Sequence, residues 1–129
     1  MNANEPKSEL DKLAKIVIGA AYAVSNTLGC GFLEKVYERA LSVEMAKRGL
    51  KVQTQVPFPV FYCGSNVGDY VADLLVEEQI IVELKCVDEF ANEHMAQCIN
   101  YLRAANLKLA LLINFRKPRV EWKRIVREK

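Results

Sequence analysis

Residues 80–87, IIVELKCV, read as a buried strand, yet they place Glu83 and Lys85 at its centre. A strand alternates with period two, so Ile81, Glu83 and Lys85 project from one face while Ile80, Val82, Leu84 and Cys86 project from the other. One face is apolar throughout, and the other carries an acid and a base side by side. Burying such a pair costs several kcal/mol unless something offsets it, and a metal ion with a phosphate is one candidate. The preceding residues 70–76, YVADLLV, form a second strand, and Glu77-Glu-Gln79 closes a tight hairpin between the two. With a three-residue loop, Asp73 falls directly across from Glu83 on the same face, whereas a slip of one residue would separate them.

The size and balance of the chain, 129 residues with 51% hydrophobic and 26% charged, suit one domain over residues 1–129 with a core at about 10–126. Cys30, Cys63, Cys86 and Cys98 form no CxxC pair, and no signal-like apolar stretch follows a basic amino terminus. This favours a reduced, cytoplasmic setting with the cysteines as small core residues; an iron-sulfur or zinc site is the alternative use. No apolar run approaches the length of a membrane helix, so no membrane partner is expected. The overall charge of +2 is unevenly spread, with residues 116–129 at +5 and the remainder at −3. A basic tail carrying Arg119, Lys123, Arg124 and Arg127 can track phosphates, although a charged edge strand would look the same.

The remaining pattern alternates helices and strands. Ser8 is placed to cap a first helix, with Asp11 as a short stand-in for the usual capping-box glutamate, and apolar residues recur at helical spacing from Leu10 to Leu28. Gly29 and Gly31 break it, and a second helix is expected over 32–47, ending at Gly49. In residues 51–62, Val52, Thr54, Val56, Phe58 and Val60 alternate, and two prolines mark an edge or irregular strand. Residues 63–69 read as a turn-rich connection, 92–105 as a helix, 107–115 as a buried strand and 120–126 as a last strand. The resulting order α-α-β-β-β-α-β-β is an α/β layout.

Asp73, Glu83 and Lys85 at the middle of a hairpin put two carboxylates beside a lysine. Such oxygen-rich sites suit Mg²⁺, which takes one or two carboxylates, keeps several waters and accepts phosphate oxygens. Lys85 could orient a water or stabilise a phosphate as negative charge builds on it. Taken alone, so short a string equally describes a cross-strand salt bridge on a solvated face. On the second helix Glu34 and Tyr37 share a face at i, i+3; by spacing alone Glu34 is a first-turn glutamate favoured by the helix dipole, and Tyr37 is as well explained by packing. His94, Gln97 and Tyr101 form one stripe on the third helix, and the ordinary reading is a polar rim with a histidine satisfied by hydrogen bonds.

More of the chain agrees with a catalytic reading. Gly31-Phe-Leu-Glu-Lys-Val-Tyr37 is a GxxExxY string, and residues 13–126 resemble the GxxExxY family within the PD-(D/E)xK nuclease superfamily. The resemblance runs through Lys47-Arg-Gly-Leu-Lys-Val52, Ala72-Asp-Leu-Leu-Val76, Ile81-Val-Glu-Leu-Lys85, His94-Met-Ala-Gln97, Asn100-Tyr-Leu102 and Leu111-Leu-Ile-Asn-Phe115. It implies a restriction-endonuclease-like core, a mixed sheet of about four or five strands flanked by helices. It also implies Asp73, Glu83, Lys85 and Gln97 as catalytic residues, and Glu34, Asp73, Glu83 and the Leu84 carbonyl as metal ligands. Gln97 and Tyr101 resemble the Q-x-x-x-Y signature of exonuclease-like branches. Tyr37, His94, Tyr101, Arg119, Lys123 and Arg124 are then expected to contact substrate. Cys30 and Ala72 depart from the family pattern at places where proline and a basic residue are common, without removing a ligand.

The function expected is phosphodiester hydrolysis in nucleic acid, DNA first, by a metal-activated water, with Mg²⁺ as cofactor and Mn²⁺ as a substitute. The rival is a noncatalytic nucleic-acid- or protein-binding module that keeps the fold. With no room for a recognition domain, either specificity is low or a homodimer or partner protein supplies it.

Overall fold

The computed structural model describes residues 8–128, so Lys129 of the basic tail lies outside the described residues. Helix α1 (Glu9–Leu28) starts where Ser8 Oγ accepts the Asp11 N–H at 3.1 Å. The Asp11 carboxylate pairs with Arg124 of the last strand. Gly29, at φ 70°, ends the helix in a conformation that favours glycine. Helix α2 (Glu34–Lys47) begins two residues later than expected, because Leu33 is still extended at φ −68°, ψ 152°.

A five-stranded sheet follows, in the spatial order β1 (Val52–Tyr62), β2 (Ser65–Val76), β3 (Ile80–Lys85), β4 (Leu109–Asn114), β5 (Glu121–Val126). β3 and β4 are parallel, joined through helix α3 (Asn92–Ala105), and every other neighbouring pair is antiparallel. The two prolines of β1 are accommodated on an edge strand, where a missing N–H costs no ladder bond. The expected connection over 63–69 is mostly strand. Only Cys63 and Gly64, both at positive φ, make the turn, and an extra residue at Val67 is absorbed by a bulge where the register shifts at Val60/Phe61.

Helices α1 and α2 cover one face of the sheet and α3 the other. Val17, Ala21, Leu41 and Met45 pack with Leu74, Val76, Ile80, Val82, Leu84, Leu109, Leu111 and Ile113 on the first face. Cys98, Tyr101 and Leu102 pack with Ala72, Leu75, Ile81, Ala110 and Leu112 on the second. Each such Leu or Ile contributes about 1.5–3 kcal/mol on burial. The face of β3 that carries Glu83 and Lys85 lies on the α3 side, where it is core at Ile81 and opens only toward Lys85.

The alternation of β1 and β2 is not continuous. Val52 and Leu74 pack on the α1/α2 side, whereas Val56, Phe58, Tyr70 and Ala72 pack on the α3 side, although all are even-numbered. Both strands change phase at one row, Gln55 and Asp73, which is missing from the ladder and where Gln55 has φ 51°. This crease positions the candidate site.

Candidate active site

Three consecutive pairs join β2 to β3, Val76 with Ile80, Leu75 with Ile81 and Leu74 with Val82. One step further along the same register Asp73 faces Glu83, as the three-residue turn requires. There the backbone ladder stops and side chains replace it. The Asp73 N–H donates to Glu83 Oε2 at 2.7 Å, and the Leu84 N–H donates to Asp73 Oδ2 at 2.9 Å. The strands part, and two carboxylates fill the opening while keeping the exposed backbone donors satisfied. Lys85 turns its own C=O toward β4, where it accepts from Phe115 N. Leu84, one residue earlier, presents N–H and C=O toward β2, so its carbonyl faces the same opening.

Burial dominates the electrostatics. Glu83 is only 3% exposed, and desolvation, reinforced by the Asp73 charge, pushes its carboxyl up to about 8, against the pull of the Asp73 N–H and of Lys85. Asp73 is raised for the same first reason, opposed by the Leu84 N–H. Glu34, exposed at the start of α2, is raised by partial desolvation and then by Asp73, while Lys85 and the Cys86 N–H act the other way. Lys85 Nζ lies 3.5 Å from Gln97 Oε1, so α3 holds the lysine from above. Beneath them the Cys98 thiol is driven up to about 12, by burial first and then by Glu83.

Asp73, Glu83, Leu84, Lys85, Gln97 and Glu34 are thus brought together. Tyr101 lies beside them, buried, raised in pKa by desolvation and then by Glu83, and edge-on to Tyr70 at 4.9 Å. His94 spends Nδ1 on the Ala91 N–H at the start of α3, a helix-capping use. Tyr37 is turned away from the opening. Its ring stacks on Phe115 at 4.7 Å, its hydroxyl donates to Gly29 O at 2.6 Å and accepts from Phe32 N at 3.2 Å, and it pins the loop between α1 and α2. The basic tail does not act as one patch. In β5, Lys123 pairs with Leu112 and so shares the α3-side row of Glu83, whereas Arg124 emerges on the other face against Asp11. Arg127 is held by Leu107 O and Asn106, and Arg119 is exposed in the loop before β5.

Three residues were not singled out from sequence. Glu38, 6% exposed, accepts from Gln55 Nε2 at 2.9 Å and from Lys35 Nζ at 3.1 Å, and Gln55 also hydrogen-bonds Asp73. Glu38 follows Glu34 by one helical turn, a spacing visible in the sequence; Gln55 gave no signal, since its place depends on the crease. Fully buried Asn114 accepts from Val87 N and Arg116 N and donates to Val87 O, fixing the chain just beyond Lys85.

Paired carboxylates beside a backbone carbonyl are a donor set suited to a divalent cation. Among the described residues no three His, Cys, Asp or Glu side chains converge on one point. Asp73 and Glu83 each accept a backbone N–H on one oxygen, Asp73 also meets Gln55, and the Leu84 carbonyl turns toward the same opening. Two carboxylates and a carbonyl fit Mg²⁺, which completes its shell with water and phosphate oxygen.

Two solved structures share this fold. The crystal structure of SSO0001 superposes with a TM-score of 0.57 at 20% identity, covering 89% of this chain and 57% of that one. An alkaline exonuclease (LHK-Exo) from Laribacter hongkongensis superposes with a TM-score of 0.55 at 13% identity, covering 96% and 73% respectively. This chain therefore spans a little over half the length of SSO0001, and at these identities the likeness is one of fold. No curated protein matches the sequence at a significant level. Residues 11–125 match the family profile described as the PD-(D/E)XK nuclease superfamily, and with nearly the whole chain inside that match, and the paired carboxylates and lysine lying at the opening between β2 and β3, the chain belongs to that superfamily.

Proposed function

We propose that this protein hydrolyses phosphodiester bonds in nucleic acid, DNA in the first instance, as a Mg²⁺-dependent nuclease in which Mn²⁺ can substitute. The observation that carries this reading is the exchange of a backbone ladder for the Asp73–Glu83 pair, with Lys85 and Gln97 alongside. Asp73, Glu83 and the Leu84 carbonyl would hold the ion, with Glu34 at the rim. Bound there, a divalent cation polarises the phosphate and makes a nearby water more acidic. The chain's own groups do the rest. Lys85 places a positive charge where the phosphate gains negative charge, Gln97 fixes the direction of its ammonium, and Lys123 holds substrate phosphate on the same side of the sheet. Glu83, raised by its own burial and by Asp73, gives up its proton as the cation arrives, so metal affinity should rise with pH.

Membership of the GxxExxY branch is part of the proposal. It is supported by the way Gly31–Tyr37 behaves as a unit: Gly31 at φ 110° turns the loop, Glu34 opens α2 at the site, and Tyr37 anchors the loop to Gly29.

The test is cleavage of labelled single- and double-stranded DNA and RNA in Mg²⁺, Mn²⁺ or EDTA, alongside calorimetric titration with Mn²⁺. Asp73→Ala should lose metal binding and cleavage together, while Lys85→Ala should lose cleavage and keep most metal binding. Metal binding without cleavage of any substrate, with Lys85→Ala indistinguishable from wild type, would instead establish a noncatalytic binding module.

A further inference from the structure

The hairpin arm formed by β1 and β2 outruns the rest of the sheet. Its strands have 11 and 12 residues, whereas β3, β4 and β5 have 6 each. Between this arm and α3 lies a groove of about 400 Å³ lined by Phe61, Tyr70, Asn100 and Arg103. That volume falls in the range of about 300–1,000 Å³ typical of small-ligand sites. Phe61 is 63% exposed at the register shift, where a bulge re-aims side chains, and Arg103 is exposed on α3.

This groove continues from the candidate site on the same face of the sheet. Tyr70 forms its floor and meets Tyr101 edge-on, and Tyr101 in turn is close enough to Glu83 to feel it electrostatically. Along α3, Gln97 touches Lys85, Asn100 follows three residues later, and Arg103 three after that, so the stretch from Gln97 to Arg103 spans about 9 Å. The lining holds an aromatic face, an amide with both donor and acceptor, and a guanidinium, and no carboxylate. Those are the complements of a base's π-face, a base edge and a phosphate. Within a paired duplex the π-face is covered by neighbouring bases, so only an unstacked nucleotide can offer all three.

We propose that this groove binds an unpaired nucleotide adjoining the scissile phosphate, with its base against Phe61 and Tyr70, its edge read by Asn100 and its phosphate held by Arg103. The proposal rests on the nuclease reading and names its substrate class, nucleic acid that is single-stranded at the point of attack.

Fluorescence anisotropy in EDTA, with a labelled single-stranded oligodeoxynucleotide and the same sequence as a blunt duplex, separates the two readings because it needs no turnover. Wild type should prefer the single strand. Phe61→Ser and Arg103→Gln, both at exposed positions, should each weaken single-strand binding roughly fivefold or more, with a smaller change for the duplex. Phe61→Tyr, which keeps the ring, should restore it. Equal or tighter binding of the blunt duplex by wild type, unchanged single-strand binding in both variants, or failure of Phe61→Tyr to rescue would each overturn the proposal. Absence of metal-dependent cleavage by the same preparations would sink the nuclease reading, while the binding preference would still decide the groove.

Discussion

β3 has two neighbours, and it is joined to them very differently. Toward β4 it makes six consecutive parallel pairs, from Ile80 with Leu109 to Lys85 with Asn114. Toward β2 it makes three and then opens at Asp73 and Glu83. One strand thus carries a continuous, buried seam on one edge and an interrupted, charged one on the other. The seam with β4 holds the strand still. The opening toward β2 gives up ladder bonds, and the freed space brings together the carboxylates and the Leu84 carbonyl, with Lys85 beside them. An interruption of this kind is affordable only because the other edge is complete.

The largest expected effects should fall on separate readouts for the two edges. On the β4 side, Leu111→Ala, which empties a fully buried position, should cost about 2–5 kcal/mol of stability, read by denaturant unfolding. On the β2 side, Lys85→Ala should lower cleavage by about 10²–10³-fold with little change in unfolding midpoint. A large stability loss in Lys85→Ala would show that the opening is structural after all.

The next effect is pH dependence. In the absence of metal, Glu83 has a folded-state pKa of about 8, above its ordinary value of 4.5, so the folded protein holds a proton that the unfolded chain releases. Its contribution is fully present below about pH 4.5 and is lost as pH rises toward about 8. Metal-free stability should therefore fall across that window by up to about 1.4 kcal/mol per pH unit. Glu83→Gln should flatten the slope, and saturating Mn²⁺ should flatten it in the wild type. A slope equally steep in Glu83→Gln would assign it to another group.

The smallest effects concern β5, where alternation sends neighbouring basic residues to opposite faces. Lys123→Ala should reduce the salt dependence of nucleic-acid binding by about one unit of slope. Arg124→Ala should leave that slope unchanged and cost less than about 1 kcal/mol of stability through its partly exposed pair with Asp11. Salt titrations of the two variants would distinguish a divided tail from a single basic patch.

Much of this was legible in one dimension. The order of helices and strands followed from hydrophobic period and punctuation, and α3 falls on the expected residues 92–105. The facing of Asp73 and Glu83 followed from counting across a three-residue turn, because strand geometry makes register arithmetic. The sequence also determined which chemistry was available, through the identities of Asp73, Glu83, Lys85 and Gln97. Tertiary structure alone decided the crease at Gln55 and Asp73, because a phase change in paired strands depends on what covers each face. The same packing turned Tyr37 inward onto Phe115 and set His94 to capping. It also divided the basic tail between the two faces of the sheet and buried Glu83 deeply enough to raise its pKa. Period and spacing state which residues can share a face; desolvation, and which face a helix covers, are set only when distant segments pack.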